Sequence, residues 1–210
     1  MQIRTPITKD TIKNHFQYHW WVYVLWIVLN LFFWNLLFST TQYRTPGHLK
    51  IEFFAEGYQT ANTEDTMEQL MSKIHEDVLP DMEEVSYRLL TLDSSYGPVQ
   101  LTVWTGAGEG DLFLLTRDYF RQMAESGALL NLQPYIDEGA LTADGIDLRS
   151  GFVRNANEGE SHQYGIPAAP LTGLAEAGLI TQGSFLSVLA ATENPAEAVQ
   201  VLQYLLEHLR

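Results

Sequence analysis

The 210-residue chain contains no cysteine, which excludes disulfides, thiolate nucleophiles, thiolate metal sites and lipid attachment through a lipobox cysteine. Basic residues are scarce: 12 Lys and Arg stand against 26 Asp and Glu, a formal net charge of -14. A chain of that sign repels a phosphate backbone, so nucleic acid is not an expected partner. Motifs that carry chemistry are also lacking. The six histidines, at 15, 19, 48, 75, 162 and 208, show no HExxH spacing. No serine sits in a GxSxG elbow. The carboxylates Asp137, Glu138, Asp144 and Asp147 do not follow a calcium-loop pattern and read as a solvated acidic face. Gly106, Gly108 and Gly110 lead into an apolar strand rather than a helix, with Glu109 and Asp111 among them, so they form a turn and not a phosphate loop. No metal, cofactor or catalytic set is expected, and there is no internal repeat or low-complexity tract.

The mean hydropathy of -0.10 conceals an uneven distribution. Trp20 to Phe38 is a run of nineteen residues, interrupted only by Asn30 and Asn35 and free of charge. Its length is close to the roughly 20 apolar residues a spanning helix needs. Trp20, Trp21 and Tyr23 at one end and Tyr43 beyond the other suit interfacial anchors. A buried core helix would show a polar face, which this run lacks. A cleaved signal peptide is the closer rival, but Ser39-Thr40-Thr41-Gln42 offers no Ala-x-Ala site, and the expectation is an uncleaved single-pass anchor. Arg4, Lys9 and Lys13 precede it, while residues 41–210 carry 9 basic and 25 acidic residues. Both features favour a cytoplasmic tail over residues 1–19 and an extracytoplasmic domain after the helix. Asn30 and Asn35 leave homo-oligomerisation through the membrane open.

Beyond a tether at 39–48, residues 49–210 alternate strand and helix signals. Strands are expected at Leu49–Ala55, Glu84–Thr91, Asp111–Leu115 and Phe185–Ala190. A helix capped at Asn62 or Thr63 presents Met67, Leu70, Met71, Ile74 and Val78 on one face and stops at Pro80. Thr116 caps a helix over Arg117–Ser126 that ends at Gly127. Asn194-Pro195-Ala196-Glu197 has the form of a capping box with proline at the first helical position, opening a helix with Ala198, Val201, Leu202, Leu205 and Leu209 inward. Val99, Leu101 and Val103 alternate as a strand would, and Pro98–Thr105 stays open between strand and helix. The pattern implies an α/β fold with a mostly parallel sheet flanked by helices.

The stretch DLFLLTRDYFRQMAESGALLNLQPYIDEG, residues 111–139, resembles extracellular solute-binding proteins of the maltose-binding type. GESHQYGIPAAP (159–170) is similar to that family's turn into a Tyr-Gly-Ile-Pro strand, and SFLSVLAATENPAEAVQVLQYLL (184–206) to its closing strand and Asn-Pro helix. In the family a whole second lobe lies between these last two motifs; only residues 171–183 do so in this chain. The resemblance thus implies one periplasmic-binding-protein-like lobe, anchored by the membrane helix instead of a lipid. Ligands bind at the carboxyl ends of the strands in open α/β sheets. Those ends place Glu56 and Tyr58 after the first strand, Thr116, Asp118 and Tyr119 after the third, and Ala168–Pro170 after the YGIP strand. Tyr58 and Tyr119 are candidates to stack on a sugar or peptide, and Glu56 or Asp118 to accept its hydrogen bonds; each aromatic also fits ordinary packing. The expected function is a non-catalytic binding or interaction module, meeting a protein partner or a second copy on the face a second lobe would cover. A weak sugar or peptide receptor for an ABC importer, an extracytoplasmic hydrolase, and a remnant whose membrane helix outweighs its domain are the alternatives.

Overall fold

The computed structural model describes residues 9–60, 62–92, 96–156 and 159–210. It divides into two compact units, Met1–Arg44 and Thr45–Arg210. In the first, α1 (Lys9–Thr41) is one continuous helix of 33 residues. Its Gln17–Thr41 portion is long and apolar enough to cross a membrane, and none of it is buried against protein. At about 1.5 Å per residue those 25 residues extend about 37 Å, more than the hydrocarbon core of a bilayer. The hydroxyls of Ser39, Thr40 and Thr41 donate back to the Leu36 and Leu37 carbonyls, so the polar end of the helix satisfies its own side chains.

The second unit is a three-layer α/β/α domain. Its sheet runs β2 (Glu84–Leu90), β1 (Lys50–Glu56), β3 (Leu112–Thr116), β7 (Ser184–Val188), β6 (Ile166–Pro167). β1 is parallel to β2 and β3, and β7 is antiparallel to both β3 and β6. Four strands therefore share one direction, as expected of a mostly parallel sheet, and the reversed β7 makes it mixed. A separate two-stranded hairpin joins β4 (Phe152–Arg154) and β5 (Ser161–Gln163).

Period-2 alternation sorts the two cores. Ile51, Phe53, Ala55, Leu112, Leu114, Leu186 and Val188 face α2 (Thr63–Asp77), α5 (Gln133–Asp137), α6 (Thr172–Glu176) and α7 (Pro195–His208). Phe54, Phe113, Leu115 and Phe185 face α3 (Gly97–Gly106) and α4 (Arg117–Glu125). On that second side Phe120 stacks on Phe185 with ring centroids 4.3 Å apart. The expected inward faces of α2 and α7 are the ones buried, and Gly127 takes φ +78 just beyond α4, as a glycine closing a helix does.

The open segment is a helix. In α3 only Leu101 of the three alternating residues is buried, while Val99 and Val103 are 61% and 62% exposed. The alternation that suggests a strand is also the i, i+4 spacing that puts two valines outside and the intervening leucine inside. The capping boxes are not formed as the sequence suggests. Asn194 stands before α7, but its side-chain amide donates to the Gly47 and Lys50 carbonyls at 2.8 and 2.9 Å, and its own N–H goes to the Thr192 hydroxyl. A tie to the segment that leads into β1 has displaced a local cap. Thr116 likewise holds the N-cap position of α4 with extended dihedrals and no side-chain cap bond.

Candidate ligand-binding face at the strand ends

Glu56 closes β1 on the same face as Phe54 and is 7% exposed. A carboxylate there requires a donor, and the Thr116 N–H supplies one, 2.9 Å from Oε2. The contact ties the end of β1 to the junction of β3 and α4, with a negative charge beside a helix N-terminus where the macrodipole favours it. The Glu56 carbonyl accepts from the Ile180 N–H at 2.9 Å, and Tyr58 N–H donates to Gly178 at 3.1 Å. Residues 178–180 thus line the β1 end as a short antiparallel bridge centred on Gly57 and Leu179. Gly57 makes the approach feasible: a Cβ there would lie 2.9 Å from the Leu179 side chain and 3.0 Å from the Gly178 carbonyl.

The five residues singled out by the sequence separate into three situations. Glu56 and Thr116 are bonded to each other. Tyr58 is 58% exposed and Asp118 is exposed on the first turn of α4, both facing solvent. Tyr119 turns away: its hydroxyl donates to the Leu92 carbonyl at 3.1 Å, and its ring packs against the α3 side of the core. It lines a cavity of about 290 Å3 between α3 and α4, with Leu101, Thr105, Gln122 and Met123 among the walls. Ordinary packing therefore accounts for Tyr119, whereas Tyr58 presents an open aromatic face.

Sequence reasoning missed Ser184. It pairs with Thr116 across β3 and β7, is 1% exposed, and its hydroxyl has no hydrogen-bond partner among the described residues. A buried hydroxyl beside the strand ends has unused hydrogen-bonding capacity. Serine at the first position of an apolar strand carries no signal that would set it apart. Among the described residues no group of three or more His, Asp or Glu is placed to hold a metal ion.

No family model and no curated protein matches the chain. Among solved structures it is similar to an extracellular solute-binding protein of family 1 from Alicyclobacillus acidocaldarius, at 18% identity over 60% of this chain and 29% of that one, with a TM-score of 0.44. It is similar to an ABC substrate-binding protein from Listeria monocytogenes in complex with cycloalternan, at 19% identity over 55% of this chain and 28% of that one, TM-score 0.41. A third is an N-glycan transport solute binding protein from Streptococcus pneumoniae, 18% identical over 57% of this chain and 24% of that one, TM-score 0.40. These neighbours are solute-binding proteins, the group the sequence resembles, and the chain spans less than a third of their length.

Proposed function

We propose that the protein is a membrane-anchored, extracytoplasmic binding module: a single-pass helix over Trp20–Phe38 holds an α/β domain outside the cytoplasm, and the domain engages a partner through its strand-end face. The observation that carries the reading is α1 itself, whose Gln17–Thr41 portion is apolar, long enough to span a bilayer and unburied along its length. A bilayer would cover that apolar length. The strand-end loops favour recognition of a protein partner or a second copy over enclosure of a small solute. Tyr58 and Asp118 face solvent there, and a face open on one side removes less of a small ligand from water than a cleft does. Residues 1–19 form the cytoplasmic tail, 39–48 the tether and 49–210 the binding domain; the role is non-catalytic.

The absence of cysteine makes topology directly readable. In intact cells a membrane-impermeant maleimide is expected to label Gln200→Cys and to reach Thr5→Cys only after lysis. Labelling in the opposite order, or release of the protein by alkaline extraction, refutes the anchored, N-inside arrangement. Calorimetry with maltotriose and short peptides tests the second half of the proposal. Micromolar binding by monomeric full-length protein overturns the preference for a protein partner.

A further inference from the structure

The acidic domain contains one concentration of positive charge. Four of the nine basic residues in 41–210 line a single cavity of about 390 Å3 formed by α4, the turn Leu148–Gly151 and β4. Arg117 and Arg121 stand one helical turn apart on α4, and Arg149 and Arg154 line the same cavity from the turn and from β4; Ser150, Phe152 and Val153 complete the wall. Among the described residues the one carboxylate lining it is Glu125, which pairs with Arg121 at 3.7 Å. Asp147 lies 3.9 Å from Arg149, and Arg154 Nε donates to the Gly159 carbonyl at 2.9 Å. Among the described residues no carboxylate lies within ion-pair distance of Arg117. Like charges at i, i+4 on a helix repel, and of the two only Arg121 has an ion-pair partner among the described residues.

We propose that this cavity, lined by none of the five strand-end candidates, is a binding site for a phosphate ester of sugar size. Guanidinium groups bind phosphate through paired, planar hydrogen bonds, and arginines from three elements line this one opening. The volume lies within the range of small-molecule sites, and Phe152, 48% exposed, offers an aromatic face to the ring that carries the phosphate. In a chain of net charge -14, this cluster also gives an anion a local destination on a surface that otherwise repels it.

The chemistry is that of a phosphate ester, whether on a soluble sugar or on a lipid headgroup, and two arms separate the sources. Full-length protein in neutral-detergent micelles is titrated with glucose 6-phosphate by calorimetry, with glucose as the uncharged control. Saturable binding of the phosphate and none of glucose is expected. The double variant R117Q/R154Q is expected to weaken it about tenfold or more, the scale of losing charge-assisted bonds. K73Q/R210Q removes the same charge elsewhere and is expected to leave binding unchanged. Micelles doped with phosphatidylglycerol form the second arm: competition with glucose 6-phosphate assigns the site to a lipid headgroup, and its absence assigns it to a soluble ester. Lack of saturable binding in undoped micelles, equal binding of glucose, or equal weakening by the two double variants overturns the proposal.

Discussion

Glu56 sits where a ligand acceptor is expected, yet its carboxylate is committed to the fold, and substitution separates the two roles. In Glu56→Ala the Thr116 amide, 2.9 Å from the lost oxygen, has no acceptor. Leaving a buried donor unsatisfied costs about 1–3 kcal/mol, and removing the charge from the α4 N-terminus adds about 0.3–1 kcal/mol. A total of about 1.3–4 kcal/mol follows from these two contributions. In a domain the size of Thr45–Arg210 each kcal/mol moves Tm by about 2–4 °C, so the shift is about 3–16 °C. Glu56→Gln keeps an acceptor of the same shape and loses only the charge, and a fall of about 1–4 °C is expected. Thermal unfolding of the full chain in neutral-detergent micelles, followed by circular dichroism, reads both variants against wild type. The reasoning fails if Glu56→Ala melts within about 2 °C of wild type, or if Glu56→Gln is as damaging as Glu56→Ala.

Three further outcomes follow from buried contacts. Burial raises the Asp111 carboxyl above its ordinary pKa, against the opposing bonds from the Thr192 hydroxyl and the Glu52 N–H. A raised folded pKa means that its contribution is present below the unfolded carboxylate pKa and is lost as pH rises through the folded value. Wild type should therefore lose Tm relative to Asp111→Asn as pH rises from about 4, and a difference that stays flat across the acid range contradicts this. Gly151→Ala would place a Cβ 1.9 Å from the Gly165 carbonyl oxygen, a backbone atom, and is expected to destabilise by about 1–3 kcal/mol or to prevent accumulation of folded protein. Unchanged Tm refutes that packing. Tyr119→Phe loses one hydrogen bond to the Leu92 carbonyl and should cost about 0.5–1.5 kcal/mol, with the same loss whether or not a partner is bound.

Much of the architecture was legible because local physics wrote it. The uncharged run from Trp20, the inward faces of α2 and α7, the glycine closing α4 and the apolar strands each follow from periodicity or from a residue with restricted dihedrals. The α/β alternation, and with it a sheet whose strands mostly share one direction, was readable for the same reason. Non-local choices were not. Pro98–Thr105 satisfies strand and helix patterns alike, and only the position of Leu101 against the core selects the helix. Asn194 looks like a cap, but carbonyls at Gly47 and Lys50, roughly 150 residues away in sequence, take its amide.

The candidate face divides along the same line. Which residues fall at strand ends is a property of the sequence, since strand boundaries place Glu56, Tyr58, Thr116, Asp118 and Tyr119 there. Their availability is decided by tertiary structure: Glu56 is spent on the Thr116 amide, Tyr119 on Leu92, and Tyr58 and Asp118 are left to solvent. The arginines show the same limit more sharply. Composition counts 12 basic residues and reads an acidic protein, whereas the packing of α4, β4 and the turn before it gathers four of them around one cavity. Charge is additive along a chain, but the field at a point depends on distance, and distance exists only once the chain has folded.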